Sequence, residues 1–142
     1  MRKQTSLPLA LALLMFGCAC FSIAGFDPEL ADGSAALQQK CAAFFATLAE
    51  CAGTPEADFS RHIPFYVDAW KDLERLQAEA QRQPHNELTL QSLDGIGDNL
   101  AQLESMHRAG LSRGEIEVIA RLFDTQFRML AALEQAKPRE EP

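Results

Sequence analysis

SRGEIEVIARLFDTQFRMLAAL, residues 112–133, is the stretch that decides the fold. Ser112 and Glu115 stand three apart ahead of an apolar run. That is the spacing of a capping box, in which the Ser oxygen accepts the Glu115 N–H and the carboxylate reaches back to the Ser112 N–H. Ile116, Ile119, Leu122, Phe123, Phe127, Leu130 and Leu133 then recur at three- and four-residue steps. Apolar residues with that period form one stripe along an α-helix. Arg113, Glu117, Arg121, Asp124 and Arg128 fall on the other side. Glu117–Arg121 and Asp124–Arg128 are i,i+4 pairs in the favourable order, the pattern of a solvated face. Lys137-Pro138 stops this helix and leaves a polar tail over 138–142.

Working back from that helix, the same period appears three more times. Leu93, Ile96, Leu100, Leu103 and either Met106 or His107 make a third stripe, ended by Ala109-Gly110. Gly95 and Gly97 lie in its early part, and each costs about 1 kcal/mol against Ala, so a kink or a late start near Asp94 is expected. Tyr66, Val67, Trp70, Leu73, Leu76 and Ala80 make a second stripe. It is expected to begin near Ile63-Pro64, since Pro is tolerated in a first turn, and to close at Pro84. Residues 54–62 read as a loop pinned by Phe59. Leu37, Cys41, Phe44, Phe45, Leu48 and Ala52 make the first stripe, with Ser34 as its N-cap and Gly53-Thr54-Pro55 as its end. Residues 25–33 read as an extended leader. Val, Ile and Thr are sparse while Ala, Leu, Gln and Glu are abundant, so local propensity favours helix throughout. Four amphipathic helices on short loops predict an all-α fold: a small up-down antiparallel bundle over 34–137, with one shared core.

The beginning of the chain has a different character. Arg2 and Lys3 precede an apolar core, Leu7 to Phe16, and small residues follow at Gly17, Ala19, Ser22 and Ala24. That order is the signature of an export signal. Three outcomes compete. Cleavage after Ser22-Ile23-Ala24 makes 1–24 a signal peptide and Gly25 the new N-terminus. Leu14-Met15-Phe16-Gly17-Cys18 resembles a lipobox, which would make 1–17 a lipoprotein signal and lipidate Cys18. The uncharged run from Leu7 to Phe26 is also long enough for an uncleaved anchor. All three place the domain outside the cytoplasm, periplasmic or secreted, and any membrane attachment runs through a lipid or signal anchor.

Charge narrows the partners. The whole chain carries a net charge of −7, and loss of Arg2 and Lys3 with the leader makes it more acidic. An acidic balance argues against nucleic acid and against anionic membrane surfaces. Solubility alone also produces it.

The four cysteines are Cys18, Cys20, Cys41 and Cys51. If the last two share one helix, they lie about 15 Å apart at 1.5 Å per residue. A disulfide needs roughly 4.4–6.8 Å between Cα atoms. Three arrangements remain: two buried thiols, a local bridge made possible by a helix that starts after Cys41, or a homodimer in which Cys41 and Cys51 cross-pair between antiparallel first helices about an axis near Ala46.

Motifs for chemistry are absent. The sequence contains no nucleophile elbow, P-loop or Cys-x-x-Cys, and Gly95-Ile96-Gly97 lacks the remainder of a dinucleotide fingerprint. Glu104-x-x-His107 occurs once, whereas a di-metal bundle needs the motif twice with two further glutamates. His107 reads instead as a cation at a helix C-terminus. The first helix offers no Met or His to pair with Met106, His107 or Met129 as haem ligands. Asp94, Asp98 and Arg121 are candidates for polar groups turned inward. The expectation is therefore a non-enzymatic protein without catalytic, cofactor or metal residues, acting as a protein-binding accessory or adaptor in the cell envelope. The rival expectation is a small-ligand, haem or metal-binding bundle. Phe44-Phe45 and Phe65-Tyr66 cannot all face one core, because neighbours diverge by about 100° on a helix. Phe45, Phe65 and Tyr66 are thus candidates for an interaction surface.

Overall fold

The computed structural model describes residues 23–139, and within them the chain is four long helices around one core. The leader 1–22, with Cys18 and Cys20, lies outside the described residues. The helices are α1 (Pro28–Cys51), α2 (Phe59–Arg82), α3 (Glu87–Ala109) and α4 (Arg113–Gln135). α1 packs on α2 and α4, α3 also packs on α2 and α4, and the two diagonal pairs do not meet. This is the expected antiparallel bundle. No described helix is long and apolar enough to cross a membrane.

Helix starts differ from expectation, and each difference has a local cause. α1 begins before Ser34, because Asp27 caps it: Oδ1 accepts from the N–H groups of Glu29 (2.8 Å) and Leu30 (3.2 Å), and Pro28 fills the first turn. Ser34 is buried within the helix, its hydroxyl donating to the Ala31 carbonyl (2.9 Å). Only 23–27 remain of the extended leader. α2 begins at Phe59 under an Asp58 cap (Oδ1 accepting from Ser60 N–H, 2.9 Å), after a 3-10 turn at Pro55–Ala57. Pro64 therefore sits in the second turn. The carbonyl it leaves unpaired, on Ser60, is on the exposed side where water can take it.

α3 runs unbroken through both glycines. Gly97 faces α2, where a Cβ would lie 3.2 Å from Leu73 Cδ2, so this glycine permits close packing rather than a kink. Gly33 of α1 is tighter: a Cβ there would meet Leu76 Cδ2 at 2.7 Å. α4 carries the capping box in full, with Ser112 N–H donating to Glu115 Oε2 (2.8 Å) and Glu115 N–H to Ser112 Oγ (3.3 Å). The helix stops at Gln135, and Lys137 turns back into the protein.

The core is Leu30, Leu37, Leu48, Leu73, Leu93, Leu100, Leu103 and Leu130 with Phe44, Phe45, Phe123 and Phe127. Several residues of the predicted stripes are outside it, Leu133 among them. Val67 and Leu122 are 61% and 44% exposed, because each sits at the edge of its helix's apolar arc.

Candidate functional site

Two polar clusters close the ends of the bundle. At one pole, Glu134 of α4 and Lys137 are buried together. Lys137 Nζ lies 2.7 and 2.8 Å from the two Glu134 oxygens and donates to Asn86 Oδ1 (2.6 Å). Thr89 Oγ1 donates to Glu134 Oε1 (2.6 Å), and Asn86 Nδ2 to the Ala80 carbonyl (3.0 Å). Each member has a partner, which is what a buried charge pair requires. Residues 24–26 and 138–139 cover this pole: Phe26 N–H donates to the Pro138 carbonyl (2.8 Å), Ala24 N–H to the His85 carbonyl (3.2 Å), and Arg139 lies over the Phe26 ring.

At the opposite pole His107 is buried among Phe44, Phe59 and Tyr66. Its Nε2 is 2.8 Å from the Ala57 carbonyl, which can only accept, so Nε2 carries the proton. Nδ1 then accepts from the Tyr66 hydroxyl at 2.9 Å. Burial holds the imidazole below its usual pKa, with His62 adding to the effect, while the Ala57 bond and Asp58 oppose it. His107 is thus a neutral core residue and not the helix-end cation expected. Burial, and then the charge of Glu104, push the Tyr66 hydroxyl pKa up. His62 makes the companion contact, Nε2 to the Glu56 carbonyl at 2.9 Å. Two histidines therefore hold consecutive carbonyls of the turn between α1 and α2.

The residues singled out in the sequence are not gathered into one site. Cys41 and Cys51 lie on one unbroken helix and are free thiols, which removes the local bridge. Cys41 is buried, and burial pushes its thiol up to about 12. A cross-chain bridge would require that buried thiol to move out to the surface. Phe45 and Tyr66 are core residues, contrary to their expected place on an interaction surface. Phe65 is half-buried and stacks on Phe44, ring centroids 3.7 Å apart. Glu104 accepts from Trp70 Nε1 (3.3 Å) and from Arg108 Nη2 (2.6 Å), while both ring nitrogens of His107 are engaged elsewhere. Met129 is 67% exposed. Asp94 accepts from Gln77 on the surface, and Asp98 and Arg121 are exposed. Among the described residues no group of three His, Cys, Asp or Glu side chains is placed to hold a metal ion.

The structure adds a feature the sequence reading did not isolate. On α4, Val118 (61% exposed), Leu122, Thr125 and Met129 line up toward α3. Across the seam α3 presents Asn99, Gln102 and Met106 against Ile119 and Leu122, and Gln126 Nε2 reaches the Gly95 carbonyl (3.4 Å). None of these residues is charged, although 23% of the chain is. Arg121 and Arg128 bound this face on α4. A second concavity lies between α1 and α4, floored by Phe45, Phe123 and Phe127. No protein-family model, curated protein or solved structure matches the chain.

Proposed function

We propose that this protein is an exported helical accessory that works by binding another protein, and that it does so along the α3–α4 face. The observation that carries the reading is the absence of charge across that face together with its exposed apolar stripe. The centre of a protein interface is depleted in charged residues and enriched in Met and large apolar groups. The stripe runs straight along α4, which suits an amphipathic helix of a partner laid beside it. Its length, from Val118 to Met129, is about 16 Å at 1.5 Å per residue, or three turns of such a helix.

Export rests on the leader. Arg2 and Lys3, the apolar core and the small residues before Gly25 are a secretion signal in composition and order. Exit from the cytoplasm sets the envelope or the exterior as the place where a partner would be met.

The test is site-directed photocrosslinking in the native compartment. A photoreactive side chain at Leu122 is expected to trap one protein species, and the same group at Arg61 on α2 none. Glu at both Val118 and Met129 should abolish that product while leaving the helical signal intact. Equal crosslinking from both faces, or none from either, overturns the reading.

A further inference from the structure

The two margins of the α3–α4 face carry opposite charge. Beside the Val118–Met129 stripe of α4 the nearest charges are Arg121 and Arg128, both exposed. Glu117 and Asp124 lie further round the helix, on the α1–α4 concavity. On α3 the margin is Asp98, exposed, with Asp94 one turn before it. No cation stands within a turn of Asp98 along α3, and among the described residues none pairs with it.

The two halves also differ in relief. α4 supplies the projecting side chains Val118, Leu122 and Met129. α3 supplies Asn99, Gln102 and Gly95, and Gly95 has no side chain to project. Heights along the bundle follow from the antiparallel pairing of the two helices. Gln126 meets Gly95, and Ile119 and Leu122 share a pocket with Leu103 and Met106. Met129 is therefore level with the turn around Gly95, and Arg128 with the turn between Asp94 and Asp98.

A two-fold axis that sets two copies face to face lies in the plane of the face. Set across the helices, it lays α4 on α4 and arginine margin on arginine margin. Set along the helices, it lays α4 of each copy on α3 of the other and keeps every residue at its own height. Arg128 then meets the Asp94–Asp98 turn of the other copy, twice by symmetry, and Met129 enters the notch at Gly95. One partner helix, about 10 Å wide, cannot reach both margins of a face about 20 Å wide. A two-helix layer with its charges in the opposite order can, and this chain's own face is such a layer. Each helix has 23 residues, so the face measures about 34 by 20 Å. That is on the order of 700 Å² per copy, near the roughly 800 Å² of a standard interface.

We infer that a second copy of this chain covers the α3–α4 face, related by a two-fold axis along the helices, with Arg128 of each copy against Asp98 of the other. The inference rests on that face being the binding surface proposed above, and it adds a regulation: a partner helix must displace the second copy. The pairing leaves α1, with Cys41 and Cys51, outside the interface.

The experiment is sedimentation equilibrium of the purified protein over a range of concentrations, with a charge-exchange series. The parent is expected to form a dimer. Asp98→Arg and Arg128→Asp each turn two attractive contacts into two repulsive ones, and each should weaken the dimer by about tenfold. The double variant restores opposite charges across the two-fold and should recover most of that loss, a result that misfolding cannot produce. Glu117→Arg, on the far side of α4, should leave the dimer unchanged. A parent that stays monomeric overturns the inference, as do single variants without effect or a double variant as weak as the two singles combined. The reading of the face itself is tested apart, by the product trapped from Leu122 in the native compartment. A product containing another protein, with a monomeric parent, sinks the dimer and keeps that reading. A product made only of this chain supports the dimer and removes the other protein.

Discussion

The two ends of this bundle are sealed in opposite ways. At one end the plug is a charge pair, Glu134–Lys137, braced by Thr89 and Asn86. At the other it is a neutral chain, Tyr66 to His107 to the Ala57 carbonyl, set among phenylalanines. Both are buried, and both satisfy their donors and acceptors. They differ in what failure costs. An ion taken out of water depends on its partner for nearly all its compensation, whereas a neutral imidazole loses one hydrogen bond at a time. The comparison therefore predicts a brittle end and a tolerant end.

The largest effect should come from splitting the charge pair. Glu134→Leu leaves Lys137 buried without its counter-ion and is expected to lower stability by about 3–5 kcal/mol. Lys137→Met should do the same to Glu134. The double variant is expected to recover part of the loss, because neither buried charge is then left alone, while Thr89 Oγ1 and Asn86 Oδ1 lose their partners. Urea unfolding of the four chains measures this. A double variant as unstable as the sum of the singles would mean that Thr89 and Asn86, and not the pair, hold this end.

At the neutral end the matching change is Tyr66→Phe. It keeps the ring packing on Phe44 and Phe59 and removes only the donor to His107 Nδ1. The expected loss is about 1–3 kcal/mol, the range for one buried unsatisfied group. A loss as large as that of Glu134→Leu, in the same urea series, would erase the contrast between the ends.

Acid should separate the two ends further. His107 sits below its usual 6.5, so below that pH the unfolded chain takes up a proton more readily than the folded one. The contribution of His107 is then fully present above pH 6.5 and is lost as pH falls through the interval down to the folded value. The groups that bear on it are His62 and Asp58, with Glu104 and Arg108 acting on its partner Tyr66. Protonation would also remove the Nδ1 acceptor that Tyr66 uses. Stability measured between pH 7 and pH 5 should decline in the parent, and decline less in His107→Gln. Parallel curves would mean that the slope comes from other groups.

The contrast also explains which parts were legible in the sequence. The four stripes and the Ser112–Glu115 box were readable because helix period and capping are local. Asp27-Pro28 and Asp58 carried a readable cap signal as well. Ser34 and Pro64 carry start signals of equal local strength, since several residues can cap a helix and the choice depends on what α1 and α2 then pack against. Gly95 and Gly97 have the composition of a break, yet α3 passes through them, because tertiary contact, with Leu73 at Gly97 and with Gln126 at Gly95, outweighs propensity. Glu134 falls four residues after Leu130, in phase with the buried stripe, and that phase was the only hint of the charged plug. Its partners, Thr89 and Asn86, come from another helix. The uncharged α3–α4 face has the same origin: its two halves are distant in the chain and join only when the helices pair.

The smallest predicted effect concerns how the charged end is finished. Ala24 is buried and its N–H donates to the His85 carbonyl, while Phe26 binds the Pro138 carbonyl one step further in. A chain that starts at Gly25 keeps the Phe26 contact and loses the Ala24 contact. A chain that starts upstream, as lipidation at Cys18 would leave it, keeps both. One hydrogen bond of this kind is worth about 1 kcal/mol net, and the buried methyl adds a fraction of that. Stability of the two purified forms, compared by urea unfolding, should therefore favour the longer chain by about 1 kcal/mol. The difference should persist in the Glu134→Leu, Lys137→Met background, because the two contacts act through different atoms. If it vanishes there, the strap and the charge pair are one cooperative unit, and the brittle end begins at Ala24 rather than at Lys137.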